Sequence, residues 1–352
     1  MIDGGLLILG MHRSGTSAVA GQLAALGVYP GSNLLPPQPD NPKGFFEPRA
    51  VVELHDEILK LIGATWDDPR PLPEGWADAP ALTPYRARLA ALIQTEFGSA
   101  ETWFVKDPRL CRLLPLWRAA LGSLGAAPKI LLVVRNPSEV VASLNRRSQT
   151  DPEQAASLWL AHYAEAEIAS RGLNRAVVLY EDWLADWYGQ ALRVCAELGA
   201  EWNITSATQH FVEPSLRHEI AIPARFSAPQ NAWAAQFHEA LQAWARTGTS
   251  PGEMAEQITE DLYLAPRAAL PVLAYLREAD ARAHAAALRL AEASVARGPD
   301  IFTTHFLREQ ERATASAQSL AHERLLLIRQ IQASASWRLT KPLRALKRLF
   351  SG

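Results

Sequence analysis

Residues 6–26 read LLILGMHRSGTSAVAGQLAAL, and no other run restricts the fold as strongly. Leu6–Leu9 is a short apolar segment suited to a strand buried on both faces. Gly10 to Thr16 forms a tight turn bounded by glycines. Ser17 to Leu26 continues as a helix with Val19, Leu23 and Leu26 on one side. Strand, glycine turn and helix in this order build an anion cradle, because successive turn N–H groups and the helix N-terminus point at the same place.

The nucleotide triphosphatase loop has the pattern G-x-x-x-x-G-K-[ST]. Gly10, Gly15 and Ser17 occupy its glycine and hydroxyl positions, but Thr16 stands where the lysine belongs. That lysine neutralises the transferred phosphoryl group in a triphosphatase. The nearby cation here is Arg13, earlier in the turn, so a cradle of this kind holds a different anion at its mouth.

A long stretch rich in turn formers follows (Pro30, Gly31, Pro36, Pro37, Pro39, Pro42, Gly44) and ends in Gly44-Phe45-Phe46-Glu47-Pro48-Arg49. A helix is expected from about Ala50 to Ile62, with Val51, Leu54, Ile58 and Leu61 inward. Two readings of Glu47 stand side by side. Beside two phenylalanines its carboxylate is partly desolvated and more basic, which suits a proton acceptor. At a helix start it also suits the dipole as an ordinary surface acid. His55 is the competing base, and His12 reads as structural. The Trp66-Asp67-Asp68-Pro69 segment reads as a packed loop that also has the ingredients to hold a sugar ring.

Trp103-Phe104-Val105 reads as a buried strand that delivers Lys106-Asp107-Pro108-Arg109 to its carboxyl end, where open α/β sheets place ligands. Lys129–Val134 reads as a second strand and ends in Arg135-Asn136-Pro137-Ser138-Glu139. Asn136 suits an N-cap, Pro137 the first helical position and Glu139 a capping box. Ser143 lies two turns along the same helix face as Asn136, so Arg135 and Ser143 can grip one anion. Val177–Tyr180 reads as a further strand, with Tyr180-Glu181-Asp182 taken as mainly structural.

With these motifs the chain resembles the sulfotransferases that use 3′-phosphoadenosine 5′-phosphosulfate (PAPS), in particular bacterial sulfotransferase-like proteins and the Golgi-type tyrosylprotein enzymes. Arg13-Ser14-Gly15-Thr16-Ser17 matches their 5′-phosphosulfate loop. Arg135 with Ser143 eight residues later matches their 3′-phosphate site, and Lys106-Asp107-Pro108 their Lys-Asp-Pro. The resemblance implies a P-loop-like three-layer α/β sandwich around a central parallel sheet. It implies PAPS as sulfuryl donor, bound by residues 12–17 (His12, Arg13, Ser14, Gly15, Thr16, Ser17), by Arg135 and Ser143, and by Arg217 in a closing segment. It further implies Glu47 as base, Lys106 and Arg13 as stabilisers of transition-state charge, no metal, and an acceptor hydroxyl. A magnesium-dependent kinase or NTPase, with Asp107 as metal ligand, and a non-catalytic scaffold of the same fold are the rival readings.

A net charge of −2 exerts no global pull toward nucleic acid. Two distant cysteines make no disulfide framework. With no basic leader and no long apolar run, a cytoplasmic protein is expected. The organisation expected is a catalytic domain over 1–226, an all-helical extension over 227–334 and a tail over 335–352. For the extension, homo-oligomerisation and packing on the catalytic domain are both open. Leu339, Leu343, Leu346 and Phe350 alternate with five cations over 338–350, a basic amphipathic helix that suits an anionic membrane surface at the inner membrane face as well as docking on its own protein. The Ser-Trp-Arg-Leu-Thr-x-Pro-Leu-Arg run in this tail is similar to tails of bacterial glycosyltransferases, which implies a glycan acceptor.

Overall fold

In the computed structural model, residues 5–70, 72, 75–205, 211 and 229–259 are described. Four strands form one parallel sheet: β1 (Leu6–Leu9), β2 (Phe104–Lys106), β3 (Lys129–Val134) and β4 (Arg175–Leu179), in the order β2-β1-β3-β4. Leu6 pairs with Phe104 on one side and with Lys129 on the other, so β1 is central. The chain leaves β1 toward one edge and β3 toward the other. Between those two strand tips lies the crevice where open α/β sheets hold ligands.

The strands are apolar almost throughout because both faces are covered. Leu7, Leu9, Val105, Ile130, Leu132, Val134, Val177 and Leu179 join one buried cluster. Packed there are α2 (Arg49–Leu61), α3 (Thr83–Phe97), α4 (Leu110–Ser123), α5 (Pro137–Ser148), α6 (Pro152–Ala169) and α9 (Pro229–Thr247). Leu6, Ile8, Leu131, Val133, Ala176 and Val178 join the other cluster, under α1 (Thr16–Ala25) and α8 (Trp187–Leu198). The strand period of two thus sorts each side chain to one of two helix layers.

Some boundaries and faces differ from expectation. On α2 the expected inward Leu61 is 46% exposed, while Leu59 is buried. The helix ends at Leu61, and the stripe runs through Leu54, His55, Ile58 and Leu59 instead. The expected single helix after β4 is two, α7 (Tyr180–Ala185) and α8, because Asp186 leaves helical geometry and its side chain caps Gly189 N. The stretch expected to be helical from Ala232 is α9, which packs on α6 and β4. The rest of the extension, the tail and Arg217 lie outside the described residues. No helix among the described residues is long and apolar enough to cross a membrane.

Two core histidines set an acid sensitivity. His162 on α6 makes a 2.8 Å bond through Nδ1 to the carbonyl of Leu158, and burial holds its pKa down to about 3. Burial holds His238 on α9 down to about 4. The unfolded chain protonates both near 6.5. Their folded values are depressed, so the stability they permit is complete above that pH and is lost as pH falls toward the folded values. Each costs about 1.4 kcal/mol per pH unit in that window. Thermal melts between pH 7.5 and 5 are expected to fall in temperature, and more shallowly for His162→Asn. Equal slopes in the two proteins would exclude His162 as a source.

Candidate functional site

The turn after β1 and the starts of the segments after β2 and β3 meet at one cleft. It is lined by His12, Arg13 and Gly15 to Ala18 from the turn, by Asp40 to Lys43, Phe45 and Glu47 from the Pro-rich segment, and by Lys106, Pro108, Arg135, Arg147, Tyr180 and Phe211. Five of these side chains are cationic and two are acidic.

The backbone of the turn is constrained by what surrounds it. Gly15 precedes α1 at φ 82°, and a Cβ there would lie 2.1 Å from the Tyr180 ring. Only glycine accepts both the left-handed backbone and that approach. α1 begins without a side-chain cap; the N–H groups of Ala18 and Val19 turn back to the carbonyl of Gly15, and the helix start ahead of them favours an anion. Arg13 also has a positive φ, 69°. Beneath the turn, Gly10 N–H donates to Cys111 Sγ at 3.1 Å, and burial raises that thiol to about 12.

At the β2 side, Lys106 Nζ donates to Glu47 Oε1 at 2.6 Å and to Ser17 Oγ at 3.1 Å. Both charged groups are buried, 3% and 6% exposed, so they form a desolvated pair touching the turn. Burial raises the Glu47 pKa above the ordinary carboxylate range, and Lys106 offsets only part of that. His55 is fully buried; its Nε2 accepts from Trp117 Nε1 at 2.8 Å and its Nδ1 faces Asp107 Oδ2 at 2.9 Å. With Nε2 accepting, Nδ1 carries the proton, and neither nitrogen is left to take one from a ligand. Asp107 is held far below the usual carboxylate range by Arg109 and His55, against the cost of its burial. Its carboxylate points into this network of Arg109 and His55. His12 packs on Trp66 with ring centroids 4.6 Å apart, and burial keeps it neutral.

At the β3 side, Arg135 NH1 donates to the carbonyl of Arg13 at 3.0 Å, so its guanidinium faces the turn. The turn replies through Arg13 Nε, which donates to Ser143 Oγ at 2.9 Å. Thus Arg13, Arg135 and Ser143 converge, with Arg13 rather than Arg135 touching the serine. Asn136 caps α5 as expected, accepting from Ser138 N at 2.9 Å. Glu139 does not reach back to the cap; its Oε2 takes Arg135 Nε at 2.8 Å. A buried guanidinium one turn away is a stronger partner than a backbone amide. Arg135 also lies over the Tyr180 ring, 5.0 Å from its centroid.

Several cleft residues carry no mark in a motif. Tyr180 backs Gly15 and lies under Arg135, a packing role in keeping with its structural reading. Arg147 lies one turn beyond Ser143 on the same α5 face, a spacing that was available to read. Asp40, Asn41 and Lys43 come from a segment whose course no periodicity sets. Phe211 packs against Phe46 at 5.3 Å and takes a bond from Lys43 on its carbonyl.

The model of the sulfotransferase family matches residues 5–203. Among solved structures, the chain is similar to a sulfotransferase domain from the Synechococcus PCC 7002 olefin synthase, at 19% identity and TM-score 0.37, covering 73% of this chain and 93% of that one. A sulfotransferase domain from the curacin biosynthetic pathway matches at 14% identity and TM-score 0.36, with 74% and 98% covered. Sulfotransferase STF1 from Mycobacterium tuberculosis H37Rv matches at 14% identity and TM-score 0.35, with 74% and 77% covered. No curated protein matches the chain.

Proposed function

We propose, from the premise that this chain belongs to the sulfotransferase family, that it moves the sulfuryl group of PAPS to an acceptor hydroxyl, most simply one on a glycan. The observation that carries the reading is the pair of anion grips at adjacent strand tips. Gly10 to Ser17 follow β1, and Arg135 with the Ser143 face of α5 follows β3, which pairs directly with β1. A nucleotide that bears phosphate at both its 5′ and 3′ positions needs two such grips; ATP needs only the first. The residues present fit this donor: an uncapped α1 N-terminus, and cations Arg13, Lys106, Arg135 and Arg147 around one cleft.

In this reading residues 13–17 hold the 5′ end, while Arg135, Ser143 and Arg147 hold the 3′-phosphate, Arg135 through its rigid fork. Arg217, from a segment outside the described residues, is a further proposed contact. PAPS supplies a sulfuryl group already activated by its phosphate leaving group. Glu47 takes the proton of the acceptor hydroxyl, helped by its raised basicity. Lys106 links the base to Ser17 and places a cation where charge collects on the leaving oxygen. Arg13 adds a second cation, so the reading requires no metal. A cytoplasmic setting agrees with Cys111 and Cys195 both being free thiols. Contact of 338–350 with a membrane stays an expectation from the sequence.

Calorimetry with adenosine 3′,5′-bisphosphate (PAP), with ATP as control, tests the donor. PAP is expected to bind at least about tenfold more tightly, since a bidentate charge-assisted contact is worth ~1.5–3 kcal/mol. Binding of ATP without PAP would end the assignment. Radiolabelled sulfate transfer in a lysate then identifies the acceptor.

A further inference from the structure

The cleft holds an acid where the proposed donor puts an anion. Asp40 Oδ2 lies 3.0 Å from Arg13 NH1 and 3.0 Å from Arg147 Nε. The same Arg13 reaches Ser143 Oγ through its Nε. Asp40 thus sits on the two guanidiniums that flank the serine of the second grip.

Its backbone is held at the same place, with the Asp40 carbonyl accepting from Arg13 NH1 at 3.3 Å. Gln38 and Asn41 exchange backbone bonds of 3.2 and 2.8 Å, which closes a turn around Asp40. Asn41 Nδ2 donates to Ser17 Oγ at 3.2 Å, and Ser17 Oγ meets the carbonyl of Phe45 at 3.4 Å. Lys43 lies over the Phe211 ring, 5.1 Å from its centroid. The strap formed by residues 38–45 is therefore tied to Ser17 at the start of α1 on one side and to Phe211 on the other, with its carboxylate across the cleft.

We propose that Asp40 is an internal competitor for the donor's 3′-phosphate, holding Arg13 and Arg147 in place in the empty enzyme and returning to them to expel the spent nucleotide. The proposal rests on the donor reading above. The physical case is one of charge and exposure. Asp40 and Arg147 are 30% and 38% exposed in their side chains, so their pairing is weak enough to exchange. A phosphate monoester carries more charge than a carboxylate and engages a guanidinium bidentately. It can displace Asp40 from both arginines, whereas a nucleotide without that phosphate competes with it at Arg13 alone. The spent product still carries the phosphate, so a competing carboxylate shortens its stay.

The test compares PAP and AMP binding to the full chain and to Asp40→Asn and Asp40→Ala, with melting curves to verify the fold. Both variants are expected to bind PAP about tenfold more tightly, the scale of two exposed ion pairs removed from the free state. AMP binding is expected to tighten by no more than about threefold, because its 5′-phosphate meets only Arg13 of the two arginines that Asp40 holds. PAP binding that is unchanged or weaker in both variants overturns the competitor role. Equal tightening of PAP and AMP overturns it too, since that is a general charge effect. If the wild type and both variants all fail to bind PAP, the donor reading falls and the competitor falls with it. Wild-type binding of PAP with no gain in the variants leaves the donor reading standing and removes only this inference.

Discussion

Lys106→Ala is expected to lower the rate of sulfuryl transfer by about 10²–10³-fold with the fold retained. Lys106 donates two hydrogen bonds, to Glu47 Oε1 at 2.6 Å and to Ser17 Oγ at 3.1 Å. Its removal takes a cation from the leaving side and strands a carboxylate that is 6% exposed. An unpaired buried charge costs ~3–5 kcal/mol, but Glu47, whose pKa burial already raises, escapes most of that cost by taking a proton. The protonated acid is then no base near neutral pH. The variant should therefore lose rate most at low pH and regain part of it as pH rises.

Glu47→Gln should lose a comparable amount and show no such recovery, because an amide never becomes a base. In the wild type the acidic limb of kcat/KM should fall as pH drops through a value above the ordinary carboxylate range, the direction burial imposes. Initial rates across pH at saturating donor measure all three. Activity of Lys106→Ala within about threefold of wild type would remove Lys106 from the chemistry.

Gly15→Ala is expected to abolish donor binding, with PAP affinity down by more than about 100-fold, and to destabilise the fold by ~2–5 kcal/mol. The added Cβ meets two obstacles at once. The backbone stands at φ 82°, which costs an L-residue ~1–2 kcal/mol. The Cβ would also lie 2.1 Å from the Tyr180 ring, and overpacking of this kind costs ~1–3 kcal/mol. The ring cannot retreat freely, because the Arg135 guanidinium lies over it, 5.0 Å from its centroid. The turn must shift instead, and with it the amides that face the anion.

Gly15→Ala/Tyr180→Ala separates the two obstacles. It should recover the packing share of the lost stability and not the backbone share, a coupling that a thermodynamic cycle reads directly. Donor binding should not return, since Arg135 has then lost the ring it lies against. PAP binding by Gly15→Ala near the wild-type level would show that the turn is not the cradle.

What the amino-acid order determined by itself was local. Four apolar residues before Gly10 and five after Lys129 dictate buried parallel strands, because a strand covered on both faces has no polar side to show. Pro137 after Asn136 dictates a capped helix start, as the structure has it. Gly10 and Gly15 mark the bounds of a tight turn. Each of these rests on a few neighbouring residues, and short-range sterics and hydrogen bonding decide them.

Tertiary structure alone decided who meets whom at the cleft. Arg135 reads equally well as a partner for Ser143, but the sheet order brings Arg13 to that serine and sends Arg135 to Glu139 and the turn's carbonyl. Glu47 reads equally as surface acid or buried base until Lys106, 59 positions away, closes on it. His55 reads as a rival base until Trp117 and Asp107 take its nitrogens. Asp40 reaches two arginines through a proline-rich segment with no period of its own. Contacts between residues far apart in the chain depend on strand order and on the course of such segments, and neither property is written in any short stretch of sequence.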